Sequence, residues 1–191
     1  MSATTGASVI RLAIVGLGKM GLSHLAILRA HPQINLVAAC DATAYLTDVL
    51  TKHAGLKCHN EFDRMLAEEQ LDAVLVATPS KLHAGMVKTA LERGLHVFCE
   101  KPFVLDVSDG EELVALAASK QRVTQVGYHY RFVGAFQEAA RVVRSGALGT
   151  VHHVRAEAYG PVVLRPKGGT WRSAKGEGGG ALYDYAEQIA P

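Results

Sequence analysis

Residues 9–21 read VIRLAIVGLGKMG, and this stretch decides the fold class. Val9 to Val15 is a short apolar run with β-branched residues, a pattern typical of a buried parallel strand. Glycines follow at once, and a helical pattern begins at Lys19. A strand, a glycine turn and a helix in this order open a doubly wound α/β sheet, and the glycines fit the pattern GxGxxG.

Each part of the segment Gly16-Leu17-Gly18-Lys19-Met20-Gly21 has a physical role. Gly16 permits the tight turn, Gly18 lets the backbone approach a pyrophosphate, and Gly21 lets the helix pack closely on the strand. The helix N-terminus, with Lys19 and Met20, offers backbone N–H groups and a positive dipole end to phosphates. The segment therefore predicts that these glycines, Lys19 and Met20 bind a dinucleotide.

Asp41 lies twenty residues beyond Gly21, at the end of the next apolar run. A carboxylate there can accept hydrogen bonds from the adenosine ribose, and it repels the extra phosphate of NADP. Neither Ala42 nor Thr43 supplies an arginine for that phosphate. NAD is therefore the predicted cofactor, with NADP the less favoured alternative. A glycine turn without any ligand is the competing interpretation, and this context disfavours it.

Strand-like and helix-like segments alternate through the first two thirds of the chain. Predicted strands cover residues 9–15, 34–40, 57–59, 73–77, 96–99 and 123–126. Predicted helices cover residues 19–31, 42–53, 61–67 and 81–93, and a last one runs from a capping box at Ser108 and Glu111 to about Lys120. Repeated βα units predict a doubly wound parallel sheet, a Rossmann domain over residues 8–126.

The regular alternation of strand-like and helix-like segments ends after Gly127. A helix is predicted over residues 132–144 and an alternating strand over 150–159, followed by a loop over 160–180 and a helix that begins near Ala181. These segments predict the incomplete start of an α+β second domain over residues 127–191.

Composition narrows the function classes. Twenty Lys and Arg against 18 Asp and Glu give a net charge of +2, and no basic cluster appears, so we expect neither a nucleic-acid nor a membrane partner. The three cysteines lack CxxC spacing, and residues 1–10 have no features of a secretory signal. We therefore expect a cytoplasmic protein.

No metal site is expected, because no spacing of ligating residues suggests one.

Polar residues follow three of the predicted strands. They are Thr78-Pro79, Glu100-Lys101-Pro102 and Gly127 to Arg131. Because ligands in open α/β sheets bind at the carboxyl ends of the strands, we expect these groups to converge on one crevice.

At these residues the sequence resembles the Gfo/Idh/MocA family of nucleotide-dependent oxidoreductases. The resemblance covers nearly the whole chain and rests on VGLGKMG, VATPSKLHAG, CEKP, GYHYRF, and WR followed by GEGGGALYD. It implies that Lys101 lies beside the nicotinamide and polarises the substrate oxygen, and that the Lys101–Pro102 bond is cis. An isolated lysine on a loop is otherwise most often a solvated charge.

The resemblance also implies roles around this lysine. Thr78, Pro79 and His83 would line the cofactor cleft, and Glu100 would lie near the nicotinamide ribose. Asp184 would help to hold the substrate, with His129 and Arg131 on the substrate side. For His83, a position capping the helix or facing its surface is an equal alternative.

The sequence departs from the family pattern near its end. Where the family has a general acid/base histidine, this chain has Gln188, and an amide has no usable pKa near neutrality. Family members are also longer, which indicates either an altered, truncated product or a piece of a longer enzyme. An unpaired strand at residues 150–159 would favour self-association, so a homo-oligomer is expected.

Two function classes follow. The first is an NAD(P)-dependent oxidoreductase that moves a hydride between a sugar, polyol or similar small hydroxy compound and the nicotinamide. The second is a non-catalytic NAD-binding regulator, like the galactose-pathway repressor that resembles this family, or an inactive fragment. NAD-dependent glycoside cleavage is a third possibility within the family.

Overall fold

Six parallel strands form one sheet in the part of the chain, residues 9–157, that the computed structural model describes. The strands are β1 (Ile10–Val15), β2 (Ile34–Cys40), β3 (Lys57–His59), β4 (Ala73–Val76), β5 (His96–Cys99) and β6 (Thr124–Val126). The helices are α1 (Lys19–Leu28), α2 (Ala44–Ala54), α3 (Phe62–Glu68), α4 (His83–Glu92), α5 (Val107–Ser119) and α6 (Gly134–Arg144). Short 3₁₀ segments cover Ser80–Leu82 and His129–Phe132. The predicted Rossmann architecture is confirmed.

The strand order is β3-β2-β1-β4-β5-β6, and every neighbouring pair is parallel. The chain moves outward from β1 through β2 and β3, then returns to the other side of β1 to form β4. The order thus reverses between β1 and β4, which is the point where such sheets bind ligands at their carboxyl ends.

Alternation along β1 supplies both faces of the sheet. Ala13 and Val15 belong to one buried cluster, while Leu12 and Ile14 belong to the other. The first cluster takes side chains from α3, α4 and α5, and the second takes them from α1 and α2. Because helices cover both faces, the central strands β1 and β4 are mostly apolar rather than alternately polar.

The ends of two helices show how local chemistry sets the boundaries. Gly55, at φ 61°, ends α2 in the left-handed conformation that glycine adopts without strain.

The prediction that Ser108 caps α5 is wrong. Asp106 is the N-cap, and its carboxylate accepts hydrogen bonds from the backbone N–H and the hydroxyl of Ser108, at 2.9 and 2.7 Å. Aspartate two residues earlier thus satisfies the N–H that the capping box would have used.

The chain divides into two units, residues 1–126 and 127–191. In the second, the predicted helix over 132–144 is present as α6, preceded by the 3₁₀ turn. The strand predicted from residue 150 is wrong over residues 150–157, which form no strand. A strand requires a hydrogen-bonded neighbour, and alternation alone does not supply one. The loop predicted over 160–180, the helix near Ala181 and Asp184 lie outside the described residues. No helix within residues 9–157 has the length and apolar character needed to cross a membrane.

Candidate functional site

The turn between β1 and α1 is packed so tightly that two of its positions admit only glycine. At Gly16, φ is 91°, and an added Cβ would lie 2.6 Å from the backbone of Ala77 at the end of β4. A Cβ on Gly21 would lie 1.8 Å from the carbonyl oxygen of Gly16. The turn therefore lies directly beside the end of β4. By contrast, a Cβ on Gly18 would meet nothing within 4 Å, so space is open beside that residue.

Helix α1 begins at this open position. Gly18 is its N-cap, no side chain caps the helix, and the hydrogen bond from Leu22 N–H to the Gly18 carbonyl (2.9 Å) opens its first turn. The N–H groups of Lys19 to Gly21 precede this bond, so they have no acceptor within the helix. With the positive end of the helix dipole they provide donors for an anion next to open space. This arrangement fits a pyrophosphate.

Asp41 follows β2 and contacts the same turn. One carboxylate oxygen accepts the Leu17 N–H at 2.6 Å, and the other accepts the Thr43 N–H at 2.8 Å. The carboxylate is therefore held in a fixed orientation beside the glycine turn. Each oxygen retains a second lone pair, so ribose hydroxyls could still donate to it.

The segment that carries Lys101 follows β5, next to β4. The Glu100 N–H donates to the Val76 carbonyl at 2.8 Å, and the Lys101–Pro102 peptide bond is cis, as the resemblance implies. Lys101 is half-buried. We call residues 100–102 the lysine loop.

Glu100 is the first residue of this loop and is only 8% exposed. Its Oε1 lies 2.7 Å from Nε2 of His24 on α1, and its Oε2 accepts the Lys101 N–H at 3.1 Å. Burial raises the pKa of Glu100, but the hydrogen bonds from His24 and Lys101 outweigh burial and leave the pKa below its usual value. The sequence analysis missed His24, because its partner is 76 residues away.

His83 connects the lysine loop to the end of β4. Its Nδ1 lies 2.7 Å from the Pro102 carbonyl oxygen and its Nε2 lies 2.9 Å from the Thr78 carbonyl oxygen. The ring is 1% exposed, so the alternative of a surface-facing histidine does not hold. Both ring nitrogens face protein carbonyls, which gives His83 a supporting position behind both loops. Direct contact of His83 with a cofactor stays a prediction.

The structure thus brings most of the predicted site residues together at one edge of the first unit. Gly16 lies against Ala77 and Thr78, Asp41 bonds to the glycine turn, and His83 joins Thr78 to Pro102. Pro79 follows Thr78 directly and precedes the 3₁₀ turn. His129 and Arg131 lie in the second unit, where both are exposed, and their substrate role stays a prediction.

A second polar cluster lies between β3 and α3. His59, Glu68 and Glu69 place ligand atoms within 4.8 Å of one another, a spacing that could suit a metal ion. However, Lys57 already pairs with Glu69 and Arg64 with Glu68, each at 2.6 Å. The positive charges of Lys57 and Arg64 would repel a metal ion at this cluster. The cluster is therefore better explained as a set of ion pairs that joins β3 to α3.

Comparisons with known proteins match both parts of the chain to one family. Residues 10–128 match the family model described as an oxidoreductase family with an NAD-binding Rossmann fold, and residues 136–186 match the GFO/IDH/MocA C-terminal domain. An uncharacterised oxidoreductase of Schizosaccharomyces pombe is 30% identical over 94% of this chain and 50% of its own length. Inositol 2-dehydrogenase 4 of Saccharopolyspora erythraea is 35% identical over 73% of this chain and 42% of its own.

Among solved structures, a scyllo-inositol dehydrogenase of Lactobacillus casei with bound NAD(H) and scyllo-inositol is similar at a TM-score of 0.69. It is 30% identical, and the alignment covers 74% of this chain and 43% of that one. The chain thus spans about half the length of the relatives it matches.

Proposed function

Because the chain belongs to the Gfo/Idh/MocA oxidoreductase family, we propose that it binds NAD and serves hydride transfer with a sugar, polyol or similar hydroxy compound. One observation carries this proposal. The glycine turn, Asp41 and the lysine loop meet where the strand order reverses, and direct contacts link the turn to Asp41 and to the end of β4. This placement supports a site in which nucleotide-binding and reaction-promoting groups share one edge of the sheet.

The residues present fit a dinucleotide. The N-terminus of α1 would hold the pyrophosphate beside the open position at Gly18, and Asp41 would accept hydrogen bonds from the adenosine ribose. A carboxylate at Asp41 would also repel the 2′-phosphate of NADP, which supports NAD as the cofactor. When bound, the nicotinamide would supply the hydride acceptor.

Lys101 is the residue that we assign to the chemistry. An ammonium group has three donors and no acceptor, so it can donate to the substrate hydroxyl oxygen. That contact favours negative charge on the oxygen as its proton passes to solvent water, and this charge would assist hydride transfer from the adjacent carbon to a bound nicotinamide. Asp184, His129 and Arg131 remain the proposed substrate-side residues.

Calorimetric titration of the chain with NAD and with NADP tests cofactor binding, and a Lys101→Met variant separates binding from chemistry. We expect NAD to bind more tightly than NADP. The variant should retain NAD affinity within about threefold but lose turnover of inositols and other polyols by about a hundredfold or more. If neither nucleotide binds the wild-type chain, the proposal is wrong.

A non-catalytic NAD-binding regulator is the second candidate, and one feature of the sequence favours it. Gln188 stands where the family has its proton-transferring histidine, and an amide cannot replace it. Tight NAD binding by a chain that oxidises no hydroxy compound would support this candidate over the first.

We also propose a cellular compartment and an oligomeric state for the protein. Cys40, Cys58 and Cys99 are all free thiols, which supports a reducing compartment such as the cytoplasm. We further propose a homo-oligomer that acts on a small-molecule substrate. Sedimentation of the purified chain over a range of concentrations tests the oligomeric state, and a monomer at high concentration would contradict it.

A further inference from the structure

A side-chain pair connects helix α1 to the lysine loop. Nε2 of His24 lies 2.7 Å from Oε1 of Glu100, across 76 residues of sequence. We propose that His24 is a positioning residue, which acts through Glu100 to fix Lys101 relative to the phosphate-binding end of α1. This inference rests on the proposed function, because it assigns the pair to the placement of NAD between these two elements.

The pair is held in one geometry by its surroundings. The side chains of His24 and Glu100 are 21% and 11% exposed. The His24 ring also packs edge-on against Phe98 of β5, with ring centroids 5.4 Å apart and planes inclined by 65°. Phe98 lies two residues before Glu100, so the same strand end supplies both the ring contact and the hydrogen-bond partner. These contacts restrict the orientation of the imidazole.

Glu100 connects the His24 ring to the backbone of Lys101. Its second oxygen accepts the Lys101 N–H at 3.1 Å, while its own N–H donates to the Val76 carbonyl at 2.8 Å. Burial raises the pKa of this carboxyl, but the donors from His24 and Lys101 hold the pKa below its usual value, so it is an ionised acceptor at neutral pH. A carboxylate has no proton to give, so His24 must donate from Nε2.

The two ends of the proposed cofactor site depend on this link to different degrees. The adenosine half relies on Asp41 and the glycine turn, which His24 does not contact through any hydrogen bond in the described residues. The nicotinamide half relies on the lysine loop. Loss of the His24–Glu100 bond should therefore weaken binding of NAD more than binding of ADP-ribose, which lacks the nicotinamide. A purely structural role would weaken both equally.

The test uses the full chain with two variants, His24→Leu and His24→Gln. Leucine removes the donor and keeps an apolar contact with Phe98, whereas the glutamine amide can still donate to Glu100. Calorimetry measures the affinity of each protein for NAD and for ADP-ribose, and thermal unfolding monitors the fold. We expect His24→Leu to weaken NAD binding about tenfold, as loss of a hydrogen bond to a charged group predicts, with ADP-ribose binding changed by less than about twofold. His24→Gln should restore most of the NAD affinity.

Three results would overturn the inference while leaving NAD binding itself established. They are unchanged NAD affinity in His24→Leu, equal losses for both ligands, and a His24→Gln variant that behaves like His24→Leu. If the wild-type chain binds ADP-ribose and NAD with equal affinity, the lysine loop does not contribute to binding and the inference also fails. Failure of the proposed function gives a different result, in which the wild-type chain binds neither ligand.

Discussion

The backbone N–H of Leu17 donates to a carboxylate oxygen of Asp41 across 2.6 Å, so the side chain that follows β2 is bonded to the turn that follows β1. The other carboxylate oxygen accepts the Thr43 N–H at 2.8 Å. Asp41 therefore has two roles, one in the shape of the glycine turn and one in the proposed recognition of the ribose. Substitutions of Asp41 can separate the two.

Replacement of Asp41 should alter both affinity and cofactor preference. In Asp41→Asn the side chain keeps one acceptor oxygen but loses its charge, so discrimination against NADP should fall while the turn is largely retained. Asp41→Ala removes both acceptors and should weaken NAD binding by about tenfold or more. Calorimetric titration with NAD and NADP measures both effects. An unchanged ratio of the two affinities in Asp41→Asn would show that the carboxylate does not select the cofactor.

Replacement by alanine should cost much more stability at Gly21 than at Gly18, although both residues lie in one turn. Gly21→Ala places a Cβ 1.8 Å from the Gly16 carbonyl oxygen, and we expect it to reduce the free energy of unfolding by about 3 kcal/mol or more. Gly18→Ala is the matched control, because its φ of −65° suits alanine and its Cβ meets nothing within 4 Å. It should change stability by less than about 1 kcal/mol while weakening nucleotide binding. Urea denaturation measures stability, and equal losses in both variants would contradict this prediction.

His83→Phe should destabilise the first unit. The substitution removes the ring N–H that donates to the carbonyl of Pro102 or of Thr78, and a buried carbonyl left unsatisfied costs about 1–3 kcal/mol. Thermal and denaturant unfolding measure the loss. The control is His53→Phe, at an exposed position on α2, which should change stability by less than about 0.5 kcal/mol. Similar behaviour of the two variants would show that the bridge between the loops contributes little.

Acid should destabilise the protein partly through Asp72. Hydrogen bonds from the Arg11 side chain and backbone N–H lower the pKa of Asp72 from 3.8 to about 2. Since the pKa is lower in the folded state, this pair stabilises the fold above about pH 4 and loses its effect as the pH falls through about 2. The difference in Tm between the wild type and Asp72→Asn should therefore shrink over that interval. A difference that stays constant with pH would exclude this linkage.

Local patterns predicted most of the sheet. Strand β1 is apolar apart from Arg11 and is followed by Gly16, and both of its faces are covered, so an apolar run predicts such a strand. Helices α2 and α4 end close to Gly55 and Gly94, and both residues adopt the positive φ that glycine tolerates. These features depend on residues adjacent in sequence, which is why they could be predicted.

Features that depend on distant partners could not be predicted in the same way. The bond between His24 and Glu100 joins residues 76 positions apart, and neither local pattern indicates it. The strand predicted over residues 150–159 is absent from residues 150–157, because strand formation requires a neighbour that alternation does not specify. The prediction that Ser108 is the N-cap of α5 was wrong for another reason. Aspartate and serine are both favourable N-cap residues, and only the backbone geometry shows that Asp106 takes this position.

The contact between Gly16 and Gly21 also limits how this gene can vary. The atom that would collide with a side chain at Gly21 is the backbone oxygen of Gly16, and the atoms that would collide at Gly16 belong to the backbone of Ala77 and Thr78. Every amino acid carries these atoms, so no second substitution at the contacting positions can relieve the collision. We therefore expect a genetic screen for suppressors of Gly21→Ala to return mainly true revertants. Covariation between these positions and their neighbours should be absent for the same reason.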